Sequence, residues 1–170
     1  SEVSESIWGR IEPILINNYP WDENGYKPRV EVRFFYTGTR LCLHYTSFES
    51  EIVTKHRNMN EPVYEDSCIE FFFNPDPINS DRYFNFEINA IGTLLLGWGK
   101  DRHNRTLIDN GSLDIFNLKS SVDKDLVSEY KDNYWTLEFE IPYSFIEEYY
   151  GKQSFLSGKK MKGNFQKCGD

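Results

Sequence analysis

Strict alternation of apolar and polar residues in two neighbouring segments constrains this chain more than any other feature. The segments are Asp66-Ser-Cys-Ile-Glu-Phe-Phe-Phe-Asn-Pro-Asp-Pro and Tyr83-Phe-Asn-Phe-Glu-Ile-Asn-Ala-Ile-Gly. A period of two belongs to a β-strand, because successive side chains leave a strand on opposite sides. Ile69, Phe71 and Phe73 therefore share one face, as do Phe84, Phe86, Ile88 and Ala90. The other faces carry Glu70 in the first segment and Asn85, Glu87 and Asn89 in the second.

The same pattern recurs along the chain. Val30, Val32 and Phe34 alternate with Glu31, Arg33 and Phe35, Thr37-Gly38-Thr39 makes a turn, and residues 40–47 return with Leu41, Leu43 and Tyr45 inward. That is a hairpin pattern. Trp135, Leu137, Phe139 and Ile141 alternate with Glu138 and Glu140 until Pro142. Further strands are expected at residues 14–16, 93–98, 112–120, 122–130 and 160–167, with a charged loop over 100–111. The helical stretch is Tyr143–Tyr150, which Gly151 ends. Many short strands between turn residues, with one short helix, predict an all-β fold: an antiparallel, jelly-roll-like β-sandwich. The length of 170 residues fits one domain spanning 1–170. The last predicted strand ends so close to Asp170 that a C-terminal truncation is expected.

Composition narrows the function classes. Phe, Tyr and Trp make up 16% of the chain, and bulky rings pack well on pleated sheets. A net charge of -8 argues against nucleic acid and anionic membrane surfaces, both of which want Lys and Arg. Lys159, Lys160, Lys162 and Lys167 read as a solvated loop. No apolar run approaches the roughly 18 residues of a membrane span. Cys42, Cys68 and Cys168 are an odd number, so at least one is a free thiol or pairs outside the chain.

The chain resembles the carbohydrate-binding family 9-like domains. The resemblance rests on Tyr19-Pro20-Trp21, the Asp66-Ser-Cys-Ile-Glu-Phe-Phe and Phe84-Asn-Phe-Glu-Ile-Asn-Ala-Ile-Gly segments, Trp135 through Pro142, Asn164-Phe165, and Lys167-Cys168-Gly169-Asp170. It implies a β-sandwich that binds an oligo- or polysaccharide, with a possible fused or associated glycan-degrading enzyme. It also favours an extracellular, periplasmic or cell-surface location. Such domains hold a sugar between two tryptophans, bond its hydroxyls through a glutamate and an arginine, and carry structural calcium. Glu70 matches that glutamate. Glu87 stands where the arginine is expected, Tyr64 is the stand-in for the first tryptophan, and the second lies in a C-terminal segment this chain lacks.

The expected carbohydrate-binding residues are Glu70, Glu87 and Asn89 on the polar strand faces, with Trp98 or Tyr64 as the stacking ring. Charged acceptors suit sugar hydroxyls, and the glycines flanking Trp98 could leave its ring open at a sheet edge. Trp135 alternates with core residues, and Trp21 is expected to pack the first hairpin. Arg33, Arg82 and Arg102 are possible partners for the glutamates, and His44 could join a polar site. Asp76, Asn79 and Asp81 form an oxygen-rich turn, read as turn chemistry or as a structural calcium site. Asn104-Arg-Thr and Asn110-Gly-Ser are formal glycosylation sequons. Two alternatives stay open beside a non-catalytic glycan-binding module. One is a glycoside hydrolase using Glu70 and Glu87, since adjacent strands can supply the ~5–9.5 Å carboxyl separations of glycosidases. The other is a sandwich domain in protein–protein interaction with an eroded sugar site.

Overall fold

The computed structural model describes residues 7–19, 25–109, 113–155 and 157–168. Trp21 and the Asn110 sequon lie outside the described residues. Among the described residues ten strands run in chain order: β1 (Ile14–Ile16), β2 (Arg29–Tyr36), β3 (Arg40–Phe48), β4 (Cys68–Asn74), β5 (Tyr83–Asn89), β6 (Leu94–Gly99), β7 (Arg105–Leu107), β8 (Lys119–Ser120), β9 (Trp135–Pro142) and β10 (Lys162–Cys168). They form two five-stranded sheets, β1-β2-β3-β9-β8 and β10-β4-β5-β6-β7. Every pairing is antiparallel. The expected β-sandwich is what the chain forms.

The alternation seen in the sequence builds the interior. Val32, Leu43 and Phe139 face inward from the first sheet, and Ile69, Phe86 and Leu96 from the second, all essentially without solvent contact. Phe86 and Phe139 meet across the layers with ring centroids 5.9 Å apart. The helix α1 (Tyr143–Tyr150) starts directly after β9, where Pro142 supplies its N-cap at φ -62°. It buries Phe145 and Ile146, and the Phe145 ring packs 5.0 Å from Phe84 and 5.1 Å from Phe116. Gly151 ends the helix at φ +69°, a conformation that glycine adopts without penalty.

Three expectations change. Residues 112–130 do not form two strands. Their described part is a 3₁₀ turn at Leu113–Phe116, the two-residue β8, and a 3₁₀ turn at Val127–Glu129. Polar side chains capture the backbone locally: the Asp123 carboxylate accepts from the Asp125 amide, and Asn117 sits at φ +44°. The expected charged loop over 100–111 contains β7. Asp101 makes the return possible by accepting from the Asn104 side-chain amide and from the His103 and Asn104 backbone amides, which hold its carboxyl below the usual range. Lys167 is not solvated. Its ammonium is buried 3.3 Å from Glu49, whose carboxylate also accepts from Trp135 Nε1 at 2.6 Å and Ser47 Oγ at 2.9 Å. The pair ties the two layers together at one end.

Candidate functional site

Antiparallel register decides which side chains share the outer face of the second sheet, because directly opposed residues point the same way. Glu70 of β4 opposes Glu87 of β5, with Gln166 of β10 on one flank and Leu95 of β6 on the other. The next row down is Asn164, Phe72, Asn85, Gly97 and Leu107. The next row up is Cys168, Cys68 and Asn89. The two acids therefore leave the same side of one layer, and their phenylalanine neighbours point into the interior.

Like charges directly opposed on a sheet cost stability, so the pair needs a reason to be there. Both are largely covered, Glu70 at 6% exposure and Glu87 at 4%. Burial, and then the charge of Glu87, push the Glu70 carboxyl up to about 7. The Cys168 thiol and the charges of Arg105 and Arg102 pull it the other way. Burial also raises Glu87, opposed by a hydrogen bond from Asn85 Nδ2 and by Arg105. Arg105 Nη1 lies 3.8 Å from Glu87 Oε1. Among the described residues, Glu87 Oε2 and Asn85 Oδ1 have no protein partner although both are buried. Two acceptor oxygens thus stand ready beside the acid pair.

Arg105 reaches Glu87 because of a glycine. Its side chain crosses β6 at Gly97, where a Cβ would stand 3.2 Å from Arg105 Cδ. One strand end further, a Cβ on Gly99 would meet the Asn104 carbonyl oxygen at 2.1 Å. The two glycines flanking Trp98 admit β7 onto the outer face; they do not expose the tryptophan. Trp98 opposes Phe84 and points to the inner face, away from Glu70 and Glu87. There its ring packs 5.3 Å from Tyr149 and under the Arg82 guanidinium at 4.3 Å. The grouping of Trp98 with the acids expected from sequence is corrected by this register.

The other expected residues divide. Asn89 shares the outer face but is fully engaged: its amide donates to Asp66 Oδ2 and the His56 carbonyl, both at 2.8 Å, and its oxygen accepts from the Thr93 amide. It clamps the 49–66 connection. In the 3₁₀ turn Val63–Glu65, Val63 docks on Cys68 and Leu95 of this face, and the adjoining Tyr64 stands 46% exposed. His44 lies on the opposite sheet beneath Trp8, ring centroids 5.3 Å apart, and burial lowers its pKa. Arg33 is spent on Glu31 at 2.8 Å.

The side chains of Asp76, Asn79 and Asp81, the candidate calcium ligands, are held by neighbours. Asn79 Nδ2 occupies both oxygens of Asp76, at 2.9 and 3.0 Å, and Asp81 pairs with Lys100 at 3.1 Å. Among the described residues no group of three or more His, Cys, Asp or Glu side chains is arranged to hold a metal ion. The segment is a turn.

Below the acid pair the outer face opens into a depression of about 320 Å³, lined by Phe72, Asn74, Asp81, Tyr83, Asn164 and Gln166. Phe72 and Tyr83 form an aromatic corner with centroids 5.9 Å apart. A second cleft, about 390 Å³, opens between the sheet edges at Ile14, Phe34, Tyr36, Phe71, Phe155 and Met161. Its walls are mainly apolar, although Ser157, Lys159 and Lys162 also line it. Sequence reasoning overlooked Arg105, Phe72, Tyr83, Asn164 and Gln166. For Phe72 the signal was present, since alternation places it on the face of Glu70.

A two-layer β-sandwich that sets a buried acid pair beside an open aromatic corner of one sheet face has the build of a small-ligand binding module. The sequence profile described as Carbohydrate-binding family 9 matches residues 7–170. The chain belongs to that family, and it is a non-catalytic carbohydrate-binding module. Among solved structures it is similar to a protein from Bacteroides uniformis described as a candidate carbohydrate-binding protein. They share 32% identity and a TM-score of 0.82 over 100% of this chain and 78% of that one. A family 9 module from Caldicellulosiruptor kristjanssonii in complex with cellotriose shares the fold at 13% identity and a TM-score of 0.61, covering 95% of this chain and 67% of that one. A glucose complex from the same organism matches at 14% identity and a TM-score of 0.56, covering 95% and 68%. No curated protein matches the chain. Among the described residues no helix is long and apolar enough to cross a membrane.

Proposed function

We propose that the glycan lies on the outer face of the second sheet, over Glu70, Glu87 and Asn85 and into the depression beside Phe72 and Tyr83. The observation that carries this reading is the opposed glutamate pair with unpaired buried acceptor oxygens next to an open aromatic corner. Sugar hydroxyls donate to Glu70 and Glu87, Arg105 donates to a sugar oxygen, and Gln166 and Asn164 serve as donors or acceptors at the rim. A pyranose ring stacks on Phe72 or Tyr83, with Tyr64 as a further contact above the pair. In this reading Trp98 and Asn89 hold the scaffold. The module serves to keep a fused or associated glycan-degrading enzyme at its substrate, outside the cytoplasm.

Calorimetry with cellotriose, xylotriose and mannotriose tests the reading. Kd values of roughly mM to μM are expected for at least one of them. Loss of a charged hydrogen bond through Glu70→Ala or Glu87→Ala should weaken that binding about tenfold to a hundredfold. Tyr36→Ala, in the apolar cleft, should leave it unchanged. Equal affinity in all three variants would place the ligand elsewhere.

A further inference from the structure

We infer that Cys68 and Cys168 form a cross-strand disulfide when the protein folds under oxidising conditions, fastening β10 to β4 beside the acid pair. The inference rests on register and stands independently of where the glycan binds. Cys68 opens β4, Cys168 closes β10, and the two are directly opposed on the outer face. Opposed residues in an antiparallel ladder have Cα atoms about 4.5–5.5 Å apart, inside the roughly 4.4–6.8 Å span of disulfides. Both side chains pack in one apolar patch with Val63 and Leu95. Cys42 sits on the outer face of the other sheet, opposed to Phe35 and Glu140, and offers neither of them a partner.

The chemistry balances with a small-molecule disulfide such as oxidised glutathione. One cysteine attacks it as the thiolate and displaces one glutathione thiol; the second cysteine resolves the mixed disulfide and releases the other. The chain loses two protons and two electrons, and the oxidant becomes two thiols. Burial raises both cysteine thiols above their usual range, so little thiolate forms once the sandwich has closed. The bond therefore forms during folding and is afterwards shielded from reductants. It closes the loop from residue 68 to residue 168 and pins the edge strand that carries Asn164 and Gln166. It also removes the Cys168 thiol proton from Glu70, which loses a contact that favours its carboxylate.

The reduced, unfolded chain is refolded in mixed reduced and oxidised glutathione, alkylated and digested. The expected product joins the Cys68 and Cys168 peptides with a mass lower by two hydrogens, and Cys42 is alkylated. The oxidised protein should melt several degrees above the same protein in dithiothreitol. Cys168→Ser should fold, lack the linked peptides and lose the reductant-dependent shift, whereas Cys42→Ser should retain both. Alkylation of all three thiols after oxidative refolding, or a link through Cys42, would overturn the inference.

Discussion

Glu70, an acceptor in the proposed glycan site, stands where its carboxylate opposes folding. Its carboxyl titrates at about 7 when folded against an ordinary value of 4.5, because it is buried opposite another acid. Below the ordinary value both folded and unfolded chains hold the proton, and the residue costs nothing. Above about 7 both have lost it, and the full cost of a buried charge is present. Stability must therefore fall as pH rises through this window, by about 3 kcal/mol at most. Glu70→Gln removes the titration. In urea unfolding the variant should exceed the parent by roughly 2–3 kcal/mol at pH 8, with the gap closing toward pH 4.5. A constant gap across that range would mean that Glu70 is ionised throughout. The sequence showed both acids because each occupies a polar position of a clear alternation. It could not show that they face each other, since opposition depends on the length of the 75–82 turn.

At the scale of elements, β6 and β7 explain why one expectation failed. The flanking glycines suggest an open Trp98, yet parity across the Ala90–Thr93 turn decides its face, and β6 pairs so that Trp98 opposes Phe84. The glycines instead make room for Arg105 and the Asn104 backbone. Sequence reasoning missed β7 for a related reason: three residues in a polar stretch hold too little alternation to register a period. By contrast α1 was legible to the residue, since Pro142 and Gly151 fix both of its ends. The prediction at this scale separates structure from binding. Trp98→Ala should lose roughly 3 kcal/mol of stability through the space left under Tyr149 and Tyr150, while the folded variant binds glycan as the parent does. Denaturant unfolding paired with calorimetry reads both quantities, and reduced affinity at full stability would return Trp98 to the site.

At the scale of the whole molecule, the phenylalanine-rich inner face of the second sheet packs on a largely aliphatic face of the first and leaves two outer faces with different fates. Trp8 and the N-terminal segment cover the first sheet around His44 and Glu138. The second is partly covered by the Val63 turn and remains open at Phe72 and Tyr83. The two-layer fold was legible because strand period and turn residues agree along most of the chain. The open face was not, because burial of an outer face depends on where loops land rather than on alternation. The direct test of that face is NMR: amide shifts of labelled protein titrated with the best-binding trisaccharide. The account predicts the largest shifts at Glu70, Phe72, Asn85 and Gln166, with residues of the Phe34–Tyr36 cleft unmoved. Shifts centred on that cleft or on the first sheet, with Glu70 and Gln166 unchanged, would contradict it.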